Sequence, residues 1–137
     1  MRYRGRIRKQ SKRPERILFR KAWAVFSEYI RRRDKGICCT CYSVNHWKDT
    51  NAGHFKHNVL DFDEMNINCQ CVSCNKYNHG RLDRYSDFLR AKYGDKAYEG
   101  LVIRASMAKK GHKYHTWVLE SIIAQYKKKT KELEALC

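Results

Sequence analysis

The sequence predicts an α+β domain in which a small, zinc-stapled core is flanked by several α-helices and preceded by a basic N-terminal arm. Three observations predict this class. Two Cys-x-x-Cys pairs bracket a segment without helical periodicity, amphipathic helical patterns lie on both sides of it, and the start of the chain is basic with few apolar side chains. We expect residues 1–13 to form a flexible arm and residues 14–137 to form one domain.

Composition limits the class of partner and the cellular compartment. Thirty Lys and Arg against 14 Asp and Glu give a formal net charge of +16. A chain this basic attracts a polyanion before any specific contact forms, so nucleic acid is the expected partner. No apolar run approaches the length of a membrane span, and the seven cysteines are odd in number. We therefore expect a cytoplasmic protein that is neither secreted nor held by disulfides, with no membrane partner.

Hydrophobic periodicity places the helices. A proline suited to a first turn, Pro14, opens an amphipathic pattern that should end near Gly36, where glycine can take the left-handed stop conformation. The segment 37–71 lacks helical period and suits short strands joined by loops. Beyond it we predict a helix from about Leu82 to a Gly94 cap, another opened by Asp95, a loop at 109–111 and a long helix from about Thr116.

The two cysteine pairs indicate a closed structural zinc site. Each Cys-x-x-Cys turn can present two thiolates to one tetrahedral ion, and two such turns supply four sulfurs. The predicted ligands are Cys38, Cys41, Cys71 and Cys74. The alternative is that some of these are small buried hydrophobic residues. Cys39 and Cys69 also lie two residues from a predicted ligand and compete with it for the ion.

Three polar residues in or beside the cysteine-bounded segment are candidates for catalysis. His54 follows Ala52 and Gly53, two small residues that allow backbone or substrate to approach the imidazole. A lone histidine is more often structural, and only its order with Asn66 and Asn75 favours catalysis. Asn75 follows the last cysteine pair, where its amide oxygen could cap a helix or ligate Mg²⁺.

Clustered basic side chains are the candidates for DNA contact. Three consecutive arginines at the predicted end of the first helix repel one another unless an anion is near, and only Glu28 and Asp34 are close in sequence. The arm supplies further cations. The predicted DNA-binding residues are Arg31, Arg32 and Arg33 with Arg4, Arg6, Arg8 and Lys9.

These residues carry a resemblance to a known family. Ala52-Gly53-His54, then Asn66, then Cys71-x-x-Cys74-Asn75 resembles the HNH, or ββα-metal, nuclease motif. A wider set resembles the phage NinG, or Rap, recombination proteins over roughly residues 18–135. That set comprises Tyr29-Ile30-Arg31-Arg32-Arg33-Asp34, Cys38-x-x-Cys41, Ala52-Gly53-His54-Phe55, Leu60-Asp61-Phe62-Asp63-Glu64-Met65-Asn66, Gln70-Cys71-x-x-Cys74-Asn75, Gly80, Tyr85, Leu89 and Gly94.

The resemblance implies a structure-specific DNA endonuclease that acts on branched recombination intermediates, such as Holliday junctions and D-loops, in the bacterial host cytoplasm. It implies that His54 is the general base, that Asn66 holds the loop and orients the histidine, and that Asn75 binds a catalytic Mg²⁺ or Mn²⁺ ion. A homodimer is an open possibility because a four-way junction needs two cuts, and other recombination proteins are further candidate partners.

One position departs from the commonest form of the motif. Many such nucleases carry an aspartate metal ligand just before the histidine, where this chain has Gly53. We rank His57 first and His79 next as the second ligand. Asp61 and Asp63 are further candidates. The simpler interpretation of both is that they are solvated carboxylates in a loop. Asn75 with water and substrate oxygens is the remaining possibility.

Two other functions remain open from the sequence alone. One is a zinc-containing module that binds DNA without cutting it, with His54 structural. The other is a homing or restriction-type HNH endonuclease with a sequence target. Cleavage of branched DNA of unrelated sequences distinguishes the favoured interpretation from both.

Overall fold

The computed structural model of the protein describes residues 14–136 and confirms the α+β class. The predicted arm, with Arg4, Arg6, Arg8 and Lys9, lies outside the described residues. In chain order the regular elements are α1 (Pro14–Arg33), β1 (Thr50–His54), β2 (Ile67–Cys71), α2 (Leu82–Tyr93), α3 (Asp95–Met107) and α4 (Thr116–Ala135). A 3₁₀ turn (Trp47–Asp49) precedes β1, and a π-helical turn (Ser73–Tyr77) follows β2.

The first cysteine pair lies in a tight loop directly after α1. Gly36 ends the helix with φ of 70°, and a Cβ there would lie 2.0 Å from the carbonyl oxygen of Asn45. Only glycine fits this close approach of two backbone segments. Asp34 then ties the helix end to the sheet, because its Oδ2 accepts a hydrogen bond from the backbone N–H of Cys69 at 2.9 Å.

The two strands form an antiparallel sheet that carries the predicted catalytic histidine at the end of β1. Thr50 pairs with Cys71 at one end of the register and His54 pairs with Ile67 at the other. Every residue of β2 except Cys71 is buried. The 55–66 loop joins the strands, and His54 at its start stacks against Trp23 of α1. The first helix therefore packs directly against the candidate site.

Helices α1 and α4 pack side by side and run parallel. Near their starts Ala22 packs in one cluster with Leu119, and near their ends Arg32 pairs with Glu134 at 3.2 Å. Between these points the rings of Phe26 and Tyr126 meet edge to face with centroids 4.7 Å apart. None of the helices between residues 14 and 136 has the length and apolar character needed to cross a membrane.

Helices α2 and α3 enclose a second apolar cluster beneath the 55–66 loop. Its buried members include Phe55, Tyr85, Leu89 and Leu101. The Tyr85 side chain is fully buried, and its hydroxyl donates to the backbone oxygen of Gly53 at 2.7 Å. Asn68 Nδ2 in turn donates to the Tyr85 hydroxyl at 3.1 Å. This cluster therefore fixes the backbone immediately before His54.

The helix boundaries correct one interpretation of Asn75. The sequence allowed Asn75 to cap the helix after the second cysteine pair, but α2 begins only at Leu82. Asn75 lies inside the π-helical turn, and the N-cap position of α2 is held by Arg81 in a left-handed conformation. The capping explanation for Asn75 is wrong.

We predict that Tyr85→Phe lowers the free energy of unfolding by about 1–3 kcal/mol, because it removes the buried hydroxyl that bonds the Gly53 carbonyl and the Asn68 amide. Urea unfolding of both proteins measures the difference. Tyr77→Phe is the matched control, since Tyr77 is 70% exposed, and it should change stability by less than about 0.5 kcal/mol. Equal stabilities for Tyr85→Phe and the wild type would contradict this role in holding the Gly53 backbone.

Candidate active site and metal centre

The four predicted zinc ligands converge in the structure. The Sγ atoms of Cys38, Cys41, Cys71 and Cys74 all lie within 4.8 Å of one another. Those of Cys41 and Cys71 are 3.7 Å apart. Sulfurs around a tetrahedral zinc ion with bonds of about 2.3 Å are about 3.8 Å apart, so the separation suits zinc. All four thiols are free, as are those of Cys39 and Cys69.

The cluster environment lowers the pKa of two ligands, Cys38 and Cys41, and raises that of a third, Cys74. Burial raises the pKa of Cys38, but hydrogen bonds from the Thr40 side chain and nearby backbone amides outweigh it and lower that pKa to about 6. Burial raises the pKa of Cys74 to about 12. A bound cation is the largest local charge in such a site and deprotonates its thiol ligands, so the set fits zinc as thiolates.

Cys39 and Cys69, the two cysteines that could compete for the ion, lie outside the group of four sulfurs. Cys39 is 4% exposed and packs in the cluster around Tyr85 and Leu89. Burial raises the pKa of Cys39, and it raises that of Cys69 to about 11. The structure thus brings Cys38, rather than Cys39, to the candidate zinc site, and it leaves Cys69 in the sheet.

His54 is held by a carboxylate and an indole. Its Nε2 lies 3.0 Å from Oδ1 of Asp61, and its ring stacks on Trp23 with centroids 5.1 Å apart. The hydrogen bond to His54 lowers the pKa of Asp61, against the effect of burial. A carboxylate that accepts from Nε2–H places the proton of the neutral imidazole on that nitrogen. Nδ1 then has a free lone pair and can act as a base.

A tyrosine from a distant segment completes this arrangement. The Tyr114 hydroxyl lies 3.2 Å from Oδ2 of Asp61, so both oxygens of the carboxylate are engaged. Burial, followed by the negative charge of Asp61, raises the pKa of Tyr114 to about 12. Tyr114 therefore stays a neutral donor near pH 7. Asp61 is a partner of His54, and its interpretation as a solvated loop carboxylate is wrong.

Asn66 fastens the loop between the strands. Its side chain is fully buried, and Oδ1 accepts from the Lys56 backbone N–H at 2.8 Å. Nδ2 lies 3.1–3.2 Å from the backbone oxygens of Lys56, Val59 and Leu60. These bonds fix the path of the loop that carries Asp61. Asn66 thus acts on His54 through the loop.

Asn75 faces the backbone next to His54. A Cβ built on Gly53 would lie 2.9 Å from Oδ1 of Asn75 and 2.0 Å from Oε1 of Gln70. Two amide oxygens therefore approach the residue that precedes the histidine. Hard, neutral oxygens of this kind suit Mg²⁺ and Mn²⁺.

The other candidate metal ligands fall in different places. His57 is exposed, with its ring centroid 6.1 Å from that of His54. His79 is exposed in the turn before α2, with φ of 53°. Asp63 accepts from the backbone of Met65 and pairs with Arg104 at 3.1 Å. Asp63 is therefore a structural residue, and its interpretation as a solvated carboxylate is wrong.

The three consecutive arginines do not form one unpaired cationic face. Arg33 is largely buried, with Nε 2.8 Å from Asp34 and Nη2 2.9 Å from Oδ1 of Asn68. Arg32 pairs with Glu28 and Glu134, and its guanidinium lies 4.2 Å from the centre of the Trp47 ring. The expected lack of counterions is wrong, and Arg33 has a structural role. DNA contact by Arg31 and Arg32 stays a prediction.

A different basic surface includes Tyr114, the partner of Asp61. A cavity of about 420 Å³ is lined by Arg16, Arg20 and Lys113 together with Glu15, Phe19, His112, Tyr114 and Leu119. We call it the basic groove and define it by its three strong cations, Arg16, Arg20 and Lys113. Tyr114 in its lining contacts Asp61, and Asp61 in turn pairs with His54. A second cavity of about 620 Å³ includes Lys56, His57 and Lys110 in its lining.

Comparison with known proteins gives one consistent family. The family model described as Bacteriophage Lambda NinG protein matches residues 1–135. The chain belongs to the NinG family. It is 30% identical over 135 residues to Protein ninG of Salmonella phage P22 and 29% identical over 135 residues to that of Escherichia phage lambda.

These NinG relatives are longer proteins. In both alignments 93% of this chain is covered against 63% of the relative, so the chain spans less than two thirds of their length. No solved structure matches the chain. Membership of the phage NinG family and a four-cysteine cluster able to hold a metal ion are thus both shown for this chain.

Sequence reasoning missed several residues of the NinG site. Tyr114 and Trp23 reach Asp61 and His54 from segments distant in the chain, and no local pattern marks them. Gln70 carried a usable signal, because it belongs to the Gln70-Cys71-x-x-Cys74-Asn75 motif and lies next to a candidate zinc ligand. No role was predicted for its side chain, whose burial becomes visible only in the structure.

We predict that carefully prepared NinG-family chain contains one zinc ion, and that Cys41→Ser and Cys71→Ser lose it together with folding stability. Elemental analysis and thermal unfolding measure both effects. Cys69→Ser is the matched control and should retain zinc, because its sulfur lies outside the four-sulfur group. Zinc loss from the control alone would show that the ligand set is wrong.

Proposed function

We propose that this NinG-family chain is a metal-dependent DNA endonuclease that cuts branched recombination intermediates such as Holliday junctions and D-loops. The observation that carries the proposal is the His54 imidazole, whose Nε2 lies 3.0 Å from Oδ1 of Asp61. With the proton of the neutral ring on Nε2, Nδ1 would be the base. An Asp-supported histidine beside amide oxygens and basic cavities suits phosphodiester hydrolysis.

The order of elements supports an HNH, or ββα-metal, core. Two antiparallel strands are followed by a helical turn, with His54 at the end of the first strand and Asn75 in that turn. The four cysteine sulfurs join the end of β2 and the turn to the loop after α1. The catalytic candidates therefore sit on a stapled frame, which supports precise positioning.

His54 would take a proton from water as that water attacks the phosphorus in line with the leaving 3′ oxygen. Asp61 stabilises the imidazolium that results, and Tyr114 holds Asp61 in place. As the bond from phosphorus to the 3′ oxygen breaks, that oxygen would take a proton from solvent water, so the products would carry 5′-phosphate and 3′-hydroxyl ends. General-base catalysis of this kind contributes about 10²–10⁴-fold to the rate.

The catalytic ion expected is Mg²⁺ or Mn²⁺, held by Asn75. When bound, such an ion stabilises negative charge on the phosphate and the leaving oxygen. The oxygen donors that approach Gly53 fit a hard cation. His57 and His79 are exposed and are weaker candidates for its second ligand.

Branched DNA is the partner that the charge distribution favours. The net charge of +16 and the basic groove, which reaches the site through Tyr114 and Asp61, provide attraction to phosphates without a base-reading helix. Branch preference would then follow from DNA shape. Two symmetric cuts at a four-way junction would need two active sites, which favours a homodimer on the substrate.

The alternative function is a zinc-containing module that binds DNA without cutting it. Its basis is the zinc cluster, which supports a fold with or without catalysis. A sequence-targeted HNH endonuclease is the other alternative. Purified chain incubated with Mg²⁺ and junctions of unrelated sequences separates the three, because only the favoured function gives cuts in all of them.

We predict that His54→Ala lowers the rate of junction cleavage by at least about 10²-fold, because it removes the general base. Zinc content and junction affinity should remain those of the wild type. Single-turnover cleavage with labelled junctions gives the rate, and a gel-shift titration gives the affinity. The matched control is His46→Ala, because His46 is exposed and caps the 3₁₀ turn. Cleavage by His54→Ala at the wild-type rate would overturn the mechanism.

We predict that neutralising the basic groove with Arg16→Gln, Arg20→Gln and Lys113→Gln weakens junction binding. The slope of log affinity against log salt should fall by about 1 for each phosphate that the variant no longer neutralises. Lys127→Gln, Lys128→Gln and Lys131→Gln form the control, since they remove the same charge from the far half of α4. Equal slopes for the two triple variants would remove the groove from the DNA interface.

A further inference from the structure

The side chain of Gln70 has one orientation in the core. It is fully buried, and its Nε2 donates to the backbone oxygen of Gly80 at 2.8 Å and to Oγ1 of Thr40 at 3.2 Å. A backbone oxygen can only accept, so the bond to Gly80 requires the nitrogen of the amide at that position. The oxygen of Gln70 must therefore point the other way.

That oxygen is not satisfied by the protein. Among residues 14–136, none donates a hydrogen bond to Oε1 of Gln70, although the atom is buried. Buried polar atoms nearly always have a partner, and an exception calls for an explanation such as a bound ion. The position of Oε1 beside Gly53 and Asn75 is consistent with a bound ion as that partner.

Oε1 of Gln70 points to the same place as the oxygen of Asn75. A Cβ on Gly53 would lie 2.0 Å from the first and 2.9 Å from the second. Both atoms carry negative partial charge, so their approach is favourable when a positive centre lies between or beside them. Gly53 is the residue before His54, which places that centre next to the candidate base.

We propose that Gln70 Oε1 is a protein ligand of the same divalent ion that Asn75 holds; this inference rests on the proposed nuclease function. The glycine at position 53 then has a positive role, because any side chain there would collide with the Gln70 amide. The ligand comes from the neighbouring strand β2 and is held in place by Thr40 and Gly80. Exposed His57 and His79 are not needed.

The test distinguishes the effect of losing the Gln70 side-chain oxygen from the effect of losing its side-chain nitrogen. Gln70→Leu and Gln70→Glu both lose the donor bonds to Thr40 and Gly80, but only Gln70→Leu loses the oxygen. The readout is Mn²⁺ affinity of the zinc-loaded full chain without DNA, measured from the electron paramagnetic resonance signal of free Mn²⁺. We expect Gln70→Leu to bind Mn²⁺ at least about tenfold more weakly, and Gln70→Glu to bind at least as tightly as the wild type.

A second pair of variants keeps the test decisive if Gln70→Leu folds poorly. Gln70→Ala frees the space beside Gly53, and adding Gly53→Asp to it supplies a carboxylate from the other strand. We expect Gly53→Asp/Gln70→Ala to bind Mn²⁺ at least about tenfold more tightly than Gln70→Ala alone. Zinc content and circular dichroism check the fold of every variant.

The outcomes distinguish this inference from the function on which it rests. Equal Mn²⁺ affinity for Gln70→Leu, Gln70→Glu and the wild type, with junction cleavage by the wild type, would overturn the Gln70 ligand and leave the nuclease intact. A wild-type chain that binds no Mn²⁺ and cuts no junction would overturn both.

Discussion

Four cysteine sulfurs from two separate parts of the chain meet within 4.8 Å, and the placement of the site depends on that meeting. Cys38 and Cys41 belong to the loop after α1, while Cys71 and Cys74 flank the end of β2 and the start of the turn that carries Asn75. A two-stranded sheet has little stability of its own. A zinc ion shared by these thiolates would fix the turn against the sheet, and thereby fix Asn75 relative to His54.

Hydrogen bonds from neighbouring elements hold the small sheet in place beside the cysteine cluster. Tyr85 holds the Gly53 backbone, Asn66 holds the loop that carries Asp61, and Arg33 ties the end of α1 to Asn68. Each partner comes from a different element, so the site depends on the whole domain. His54 itself receives its orientation from Asp61 and Trp23, and the proposed reaction would use its other ring nitrogen. The proposed nuclease activity depends on both features: a well-supported backbone around the site and a histidine nitrogen that can accept a proton.

Local patterns predicted the frame better than the site. Gly36 and Gly94 marked helix ends, and Cys-x-x-Cys spacing identified four sulfurs that do converge, because those signals depend on only a few neighbouring residues. Hydrogen bonds and ion pairs between residues distant in the sequence could not be predicted. Nothing near Asp61 in the sequence shows that Tyr114 binds it, and three adjacent arginines look unpaired until Glu64 and Glu134 approach from elsewhere. Asn75 looked like a helix cap because the π-helical turn that delays α2 has no simple sequence mark.

In the proposed reaction, the DNA backbone and the divalent ion meet on the side of His54 next to Gly53 and Asn75. This placement can be tested with a crystal structure of the His54→Ala chain bound to a four-way junction and Mn²⁺, with anomalous scattering to locate manganese. We expect a manganese peak bonded to the Asn75 side-chain oxygen and to a backbone phosphate beside residue 54. A junction bound with its phosphates away from this position, and no manganese at Asn75, would contradict the claim.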